Sequence, residues 1–131
     1  MAQVTISPVT LSGWSGLSTG VALYVFCNDA FTGSDGTPVP KTIRDNVKNG
    51  LGTFYQSFAC TVNNGQLAVP AVQLESTTDS PDNPDASYSA VLWDSTTGMA
   101  IQSFGTRQSF ALSPTPTTIT WAAIFSGQAD Q

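Results

Sequence analysis

Apolar and polar positions alternate along this chain with a period of two, and no segment sustains the 3.6-residue period of a helix. The alternating runs are short and are separated by Gly, Pro, Asn and Ser/Thr, the residues that end strands and make turns. The pattern predicts strands over Gln3–Ile6, Ala22–Cys27, Thr53–Val62, Gln66–Leu74, Ser87–Asp94, Met99–Phe104, Gln108–Leu112 and Thr117–Thr120. These make an all-β chain, and an antiparallel β-sandwich of seven to nine short strands accommodates them. The ending TITWAAIFSG predicts one short helical turn, with Thr120 as N-cap, Gly127 as stop, and Trp121, Ile124 and Phe125 plugging one end of the core. A length of 131 residues fits one domain, residues 1–131, around one core.

Two hairpins are specific enough to carry a register. In SFACTVNNGQLAVPA, a two-residue turn at Asn64-Gly65 sets Asn63 opposite Gln66, Val62 opposite Leu67, Cys60 opposite Val69 and Phe58 opposite Ala71. One face then carries Phe58, Cys60, Val62, Leu67, Val69 and Ala71, and the other has the polar character of a solvated surface. Pro70 cannot donate to a ladder, so the second strand lies at an edge or bends there. In YSAVLWDSTTGMAIQSF, a loop over Ser95–Gly98 pairs Leu92 with Ile101 and Trp93 with Ala100.

This second hairpin is apolar on both sides. Tyr88, Ala90, Leu92, Met99 and Ile101 share one face, while Val91, Trp93, Ala100 and Phe104 occupy the other. Strand Ala22–Cys27 repeats the feature, with Leu23, Val25 and Cys27 on one side and Ala22, Tyr24 and Phe26 on the other. Packing two sheets together buries one face of each, so these second faces need a cover. A long connection, TGSDGTPVPKTIRDNVKNGLG, could supply it, as could another subunit or a ligand. For assembly between subunits the interface candidates are Tyr24, Phe26, Val91, Trp93 and Phe104.

Composition narrows the chemistry. There is no histidine, only 10% of the residues are charged, and close to a quarter are Ser or Thr. A hydrolytic triad of the usual kind is therefore unavailable, and S-x-x-K does not occur. Nine carboxylates against Lys41, Arg44, Lys48 and Arg107 give a net charge of −5, which repels a phosphate backbone. Nucleic acid is excluded as a partner on that ground, and no apolar run is long enough for membrane insertion. The opening MAQVTISPVTLSGWSG lacks a basic stretch followed by a continuous apolar one, so synthesis in the cytoplasm without a signal peptide is expected.

Cys27 and Cys60 lie in apolar alternating runs, and either two buried free thiols or one disulfide fits. Glu75, Asp79, Asp82 and Asp85 crowd into LESTTDSPDNPDASY, which reads as a solvated acidic loop or, alternatively, as calcium ligands, although the spacing is not that of an EF-hand. No enzymatic activity, cofactor or resident metal is expected.

From Gly65 to Phe125 the chain runs GQLAVP, LESTTDS, ASYSAVLWDSTTGMAIQSF, SFALSP and TITWAAIF. This cadence resembles the small transthyretin-like or carboxypeptidase-regulatory-like β-sandwich modules of phage tail, fibre and other virion proteins. The resemblance covers about half of the chain, and Met1 to Gly52 carry none of it. It implies a non-catalytic building block of a virion, assembling as a homo-oligomer and with other virion proteins. The alternative is a carbohydrate-binding or host-adhesion module in which Trp14, Trp93 or Tyr55 stacks on the sugar rings of a cell-surface glycan.

Overall fold

The chain is described from a computed structural model, which defines residues 3–11, 20–42, 54–63, 65–94, 99–101 and 109–125. It is all-β apart from one C-terminal turn of helix. Its strands form two main groups that share one core.

In the first group, β1 (Gln3–Ile6) runs antiparallel to β9 (Val72–Glu75), and β2 (Val9–Leu11) runs antiparallel to β8 (Gln66–Val69). Both ladders keep one register: Gln3 faces Glu75 and Ile6 faces Val72, then Val9 faces Val69 and Leu11 faces Leu67. Continued across the gap, that register sets Pro8 opposite Pro70. Neither proline can donate to the ladder, so one long ribbon is broken at the same point on both strands. The break also turns the ribbon over. Leu67 and Val69 are buried in β8, but Val72 and Leu74 are buried in β9, so the inward positions move from odd to even numbers and Ala71 is exposed. The strand expected over Gln66–Leu74 thus bends at Pro70, and Ala71 leaves the core face on which the unbroken alternation put it. β13 (Thr118–Ile119) adds a parallel edge beside β1.

The second group is centred on β3 (Val21–Cys27) and β10 (Tyr88–Asp94), paired antiparallel along all seven residues from Tyr88–Cys27 to Asp94–Val21. The free side of β10 carries both β11 (Met99–Ile101) and β12 (Ser109–Phe110). Leu92 faces Ile101 and Trp93 faces Ala100, the register that the four-residue loop predicts. On the far side of β3 lies β6 (Gln56–Ala59), with Phe58 opposite Leu23 and Ala59 opposite Ala22.

The strand expected over Thr53–Val62 is divided between the two groups. After β6 the Cys60 amide donates to the Val21 carbonyl at 3.0 Å, and β7 (Thr61–Asn63) then pairs with β8 instead. Val62 opposite Leu67 and Asn63 opposite Gln66 hold as the turn predicts, and Gly65 takes a positive φ of 77°. Phe58 faces Leu23 instead of Ala71. Alternation nevertheless survives the crossing, because both groups look onto one core: Phe58, Cys60 and Val62 all pack against it.

That core joins Val4, Ile6, Leu67, Val69, Val72 and Leu74 of the first group to Leu23, Val25, Cys27, Tyr88, Ala90, Leu92 and Phe110 of the second. The small hairpin of β4 (Phe31–Thr32) and β5 (Pro38–Val39) adds Phe31 and Val39. Helix α1 (Trp121–Phe125) adds Trp121, whose ring meets Phe110 edge-on at 5.6 Å. Thr120 Oγ1 accepts from the Ala123 amide at 3.0 Å, which satisfies one amide that the helix start leaves open. Replacing Thr120 by alanine is expected to lower the unfolding free energy by about 1 kcal/mol, measured by urea denaturation.

Candidate interaction surfaces and the acidic loop

Tyr24, Phe26, Val91 and Trp93 come together as the sequence places them, because Tyr24 faces Val91 across the β3–β10 ladder and the others follow at steps of two. They form an apolar cluster separate from the main core, with Phe26, Val91 and Trp93 buried and Tyr24 packed on them half-buried. Phe26 is only 1% exposed and Trp93 8%, within the single chain. Within the single chain these three residues are already buried. Phe104 lies outside the described residues.

One element of the cover is visible. Phe54 stands at the end of the long connection and meets Tyr24 edge-on, with ring centroids 4.8 Å apart. The sequence pattern missed it for a local reason. Tyr55 donates its amide to the Val25 carbonyl at 2.8 Å, while Gln56 also pairs with Val25, so two residues oppose one. This bulge upsets the alternation. Tyr55 stacks on Tyr88 and Phe58 packs on the core, whereas Phe54 turns to the other face.

The two cysteines are free. Cys60 joins β3 at Val21, and Cys27 lies six residues further along that strand, about 20 Å away at the rise of a β-strand. Bridging distance is far shorter, so the disulfide alternative is excluded by geometry. Cys27 donates its thiol to the Asp29 carbonyl at 2.9 Å. Burial raises the pKa of Cys27 and pushes that of Cys60 up to about 11, which keeps both as thiols rather than nucleophilic thiolates at neutral pH.

The acidic run after β9 works as a strut. Asp82 accepts from the Thr32 amide and from Thr32 Oγ1, both at 2.9 Å, and from Ser80 Oγ at 2.8 Å. The Thr32 carbonyl, 2.7 Å from Ser80 Oγ, is an alternative acceptor for that hydroxyl's one proton, and Asn83 Nδ2 donates to the Ala30 carbonyl at 3.1 Å. Asp79 accepts from Ser76 Oγ at 2.6 Å. These donors stabilise the charged forms and lower the pKa of both aspartates. Among the described residues, no group of three or more acidic, histidine or cysteine side chains converges as a metal site would require. The run ties the β4–β5 hairpin to the body instead.

Beside that hairpin is a groove of about 490 Å³ lined by Phe31, Thr32, Pro38, Val39, Pro40 and Asp82. It offers no aromatic platform for a sugar, since Phe31 is buried with its ring edge-on to Tyr88. Trp93 is buried, Tyr55 is half-buried against Tyr88, and Trp14 lies outside the described residues.

Among the described residues, no helix is long and apolar enough to cross a membrane. Comparison with protein-family models, with curated proteins and with solved structures finds no match to this chain, so the likeness to transthyretin-like virion modules rests on the sequence cadence alone.

Proposed function

We propose that the chain is a non-catalytic structural and interaction domain of a phage virion or similar surface appendage, and that it assembles with copies of itself through a strand edge. Support for the non-catalytic part is chemical: there is no histidine, burial holds both thiols protonated, and Asp79 and Asp82 are engaged by hydroxyl and amide donors. The virion setting draws on the sequence cadence and on a weakly charged, Ser/Thr-rich composition.

The observation that carries assembly is the segment 56–63. Among the described strands β6 pairs only with β3 and β7 only with β8, so this one run forms an edge of both groups. Its sequence, QSFACTVN, has no charge and no proline. Soluble proteins ordinarily block such edges with lysine, proline or a covering loop. Cys60 bonds inward to Val21, so Ser57 and Ala59 turn their backbone groups to the open side, and both residues are exposed.

The expected result is a discrete oligomer by light scattering at micromolar concentration. Replacing Ala59 by lysine is expected to reduce it to the monomer mass, with stability of the fold changed by less than about 0.5 kcal/mol. A wild-type protein that is strictly monomeric at that concentration would sink the assembly reading.

A further inference from the structure

Glu75 ends β9 in a setting built around one carboxyl group. The residue is 2% exposed. Its Oε2 accepts a hydrogen bond from Gln3 Nε2 across the β1–β9 ladder, while Oε1 is buried with no donor to accept from. Over Oε1 sits Gly33, in the turn between β4 and β5; a Cβ there would overlap Oε1 and would lie 3.2 Å from Asp35 Oδ1. With no side chain at Gly33, the Glu75 and Asp35 carboxyl groups both lie beside that residue, close enough to influence each other. Asp35 is itself fixed, accepting from the Thr37 amide at 3.1 Å in a turn closed by Gly33 and Gly36.

Two carboxylates cannot hydrogen-bond to each other, because each only accepts. One proton between them resolves both problems at once. We propose that Glu75 keeps its proton in the folded protein and donates it from Oε1 to Asp35, so that a single shared proton latches the β4–β5 turn onto the end of β9.

The charges around Glu75 agree in sign. The charged groups acting on Glu75 are Asp35, from the turn, and Asp79, from the loop after β9, both negative. Tyr88 of β10 donates its hydroxyl to the Glu75 carbonyl at 2.8 Å, and Tyr55, ahead of β6, faces the same region; burial raises both phenols and keeps them neutral. Desolvation is the largest influence on Glu75 and raises its pKa; the hydrogen bond from Gln3 opposes it, and the two aspartates add to it. The hydrogen bonds from Thr37 lower that of Asp35, so the pair divides into one acid and one base.

A raised folded pKa stabilises the protein below the unfolded value, about 4.3 for glutamate, and that contribution is lost as pH rises through the folded value. The lowered values of Asp35, Asp79 and Asp82 act oppositely: their contribution is present above about 3.9 and is lost on further acidification. Stability is thus expected to peak in mildly acidic solution and to decline towards neutrality.

The test is carbon-detected NMR titration of the Glu75 carboxyl in the intact chain, with thermal melts over the same pH range. Glu75 is expected to titrate above the ordinary glutamate value, and Asp35→Asn to lower that midpoint by removing the neighbouring charge. Glu75→Gln, which copies the protonated group, is expected to lose the decline in melting temperature towards neutral pH. Amide exchange at Gly33 and Gly36 should quicken as Glu75 deprotonates in the wild type, but not in Glu75→Gln. A Glu75 midpoint at or below the ordinary value, or an Asp35→Asn midpoint that does not fall, would overturn the latch. So would calcium chloride raising the wild-type melting temperature at neutral pH with no effect on Glu75→Gln, since a cation would then bridge the pair. The readouts do not depend on oligomer mass, so failure here leaves the proposed function standing, and the reverse.

Discussion

Replacing Tyr88 by alanine is expected to remove about 3–5 kcal/mol of unfolding free energy, read as a lowered midpoint in urea denaturation. Tyr88 is among the largest fully buried side chains. Its ring gathers three others: Phe31 of the hairpin at 5.9 Å, Tyr55 at 6.4 Å and Phe110 of β12 at 5.8 Å. Loss of the ring leaves a cavity where four elements meet, and the neighbours are held in ladders that restrict collapse. Tyr88→Phe separates the hydroxyl from the ring. It strands the buried Glu75 carbonyl that the hydroxyl satisfies, so a smaller loss of about 1–3 kcal/mol is expected. An alanine variant as stable as the wild type would show that this end of the core is not packed as described.

Phe26→Ala is expected to cost a similar amount, about 3–5 kcal/mol, and its dependence on concentration is the informative part. Phe26 is 1% exposed within one chain and belongs to the cluster with Val91 and Trp93. Cover supplied by the same chain makes the loss independent of protein concentration. Cover supplied by a neighbouring copy would link the loss to dissociation, and the midpoint would then move with concentration. Denaturation at two protein concentrations a hundredfold apart distinguishes these cases. A strongly concentration-dependent midpoint would place Phe26, Val91 and Trp93 at the subunit interface for which the sequence made them candidates.

These two experiments bear on the main lesson of the fold. Periodicity identified β3 and β10 as apolar on both sides, and the structure places them side by side at the centre of their sheet with Tyr24 opposite Val91. What closes the second face was not legible. Phe54 reaches it only because the bulge at Tyr55 and Gln56 reverses the alternation, and a one-residue shift of backbone pairing leaves no mark in the pattern of side chains. The Glu75–Asp35 pair was equally hidden. Forty residues separate the two acids, and only folding of the β4–β5 turn onto β9 brings Gly33 over Oε1. The sequence grouped Glu75 instead with the aspartates beside it.

By itself, the sequence determined whatever depends on neighbours close along the chain. The all-β class, the Leu92–Ile101 register and the Val62–Leu67 pair follow from side-chain alternation and loop length, which act over a few residues. Tertiary structure alone decided where ribbons break and change partners: at Pro8 opposite Pro70, and at Cys60, where one strand leaves β3 for β8. The physical reason is that a core accepts the same alternating side chains from either sheet. Hydrophobic burial is non-directional, so it fixes which residues turn inward without fixing the strand that lies beside them.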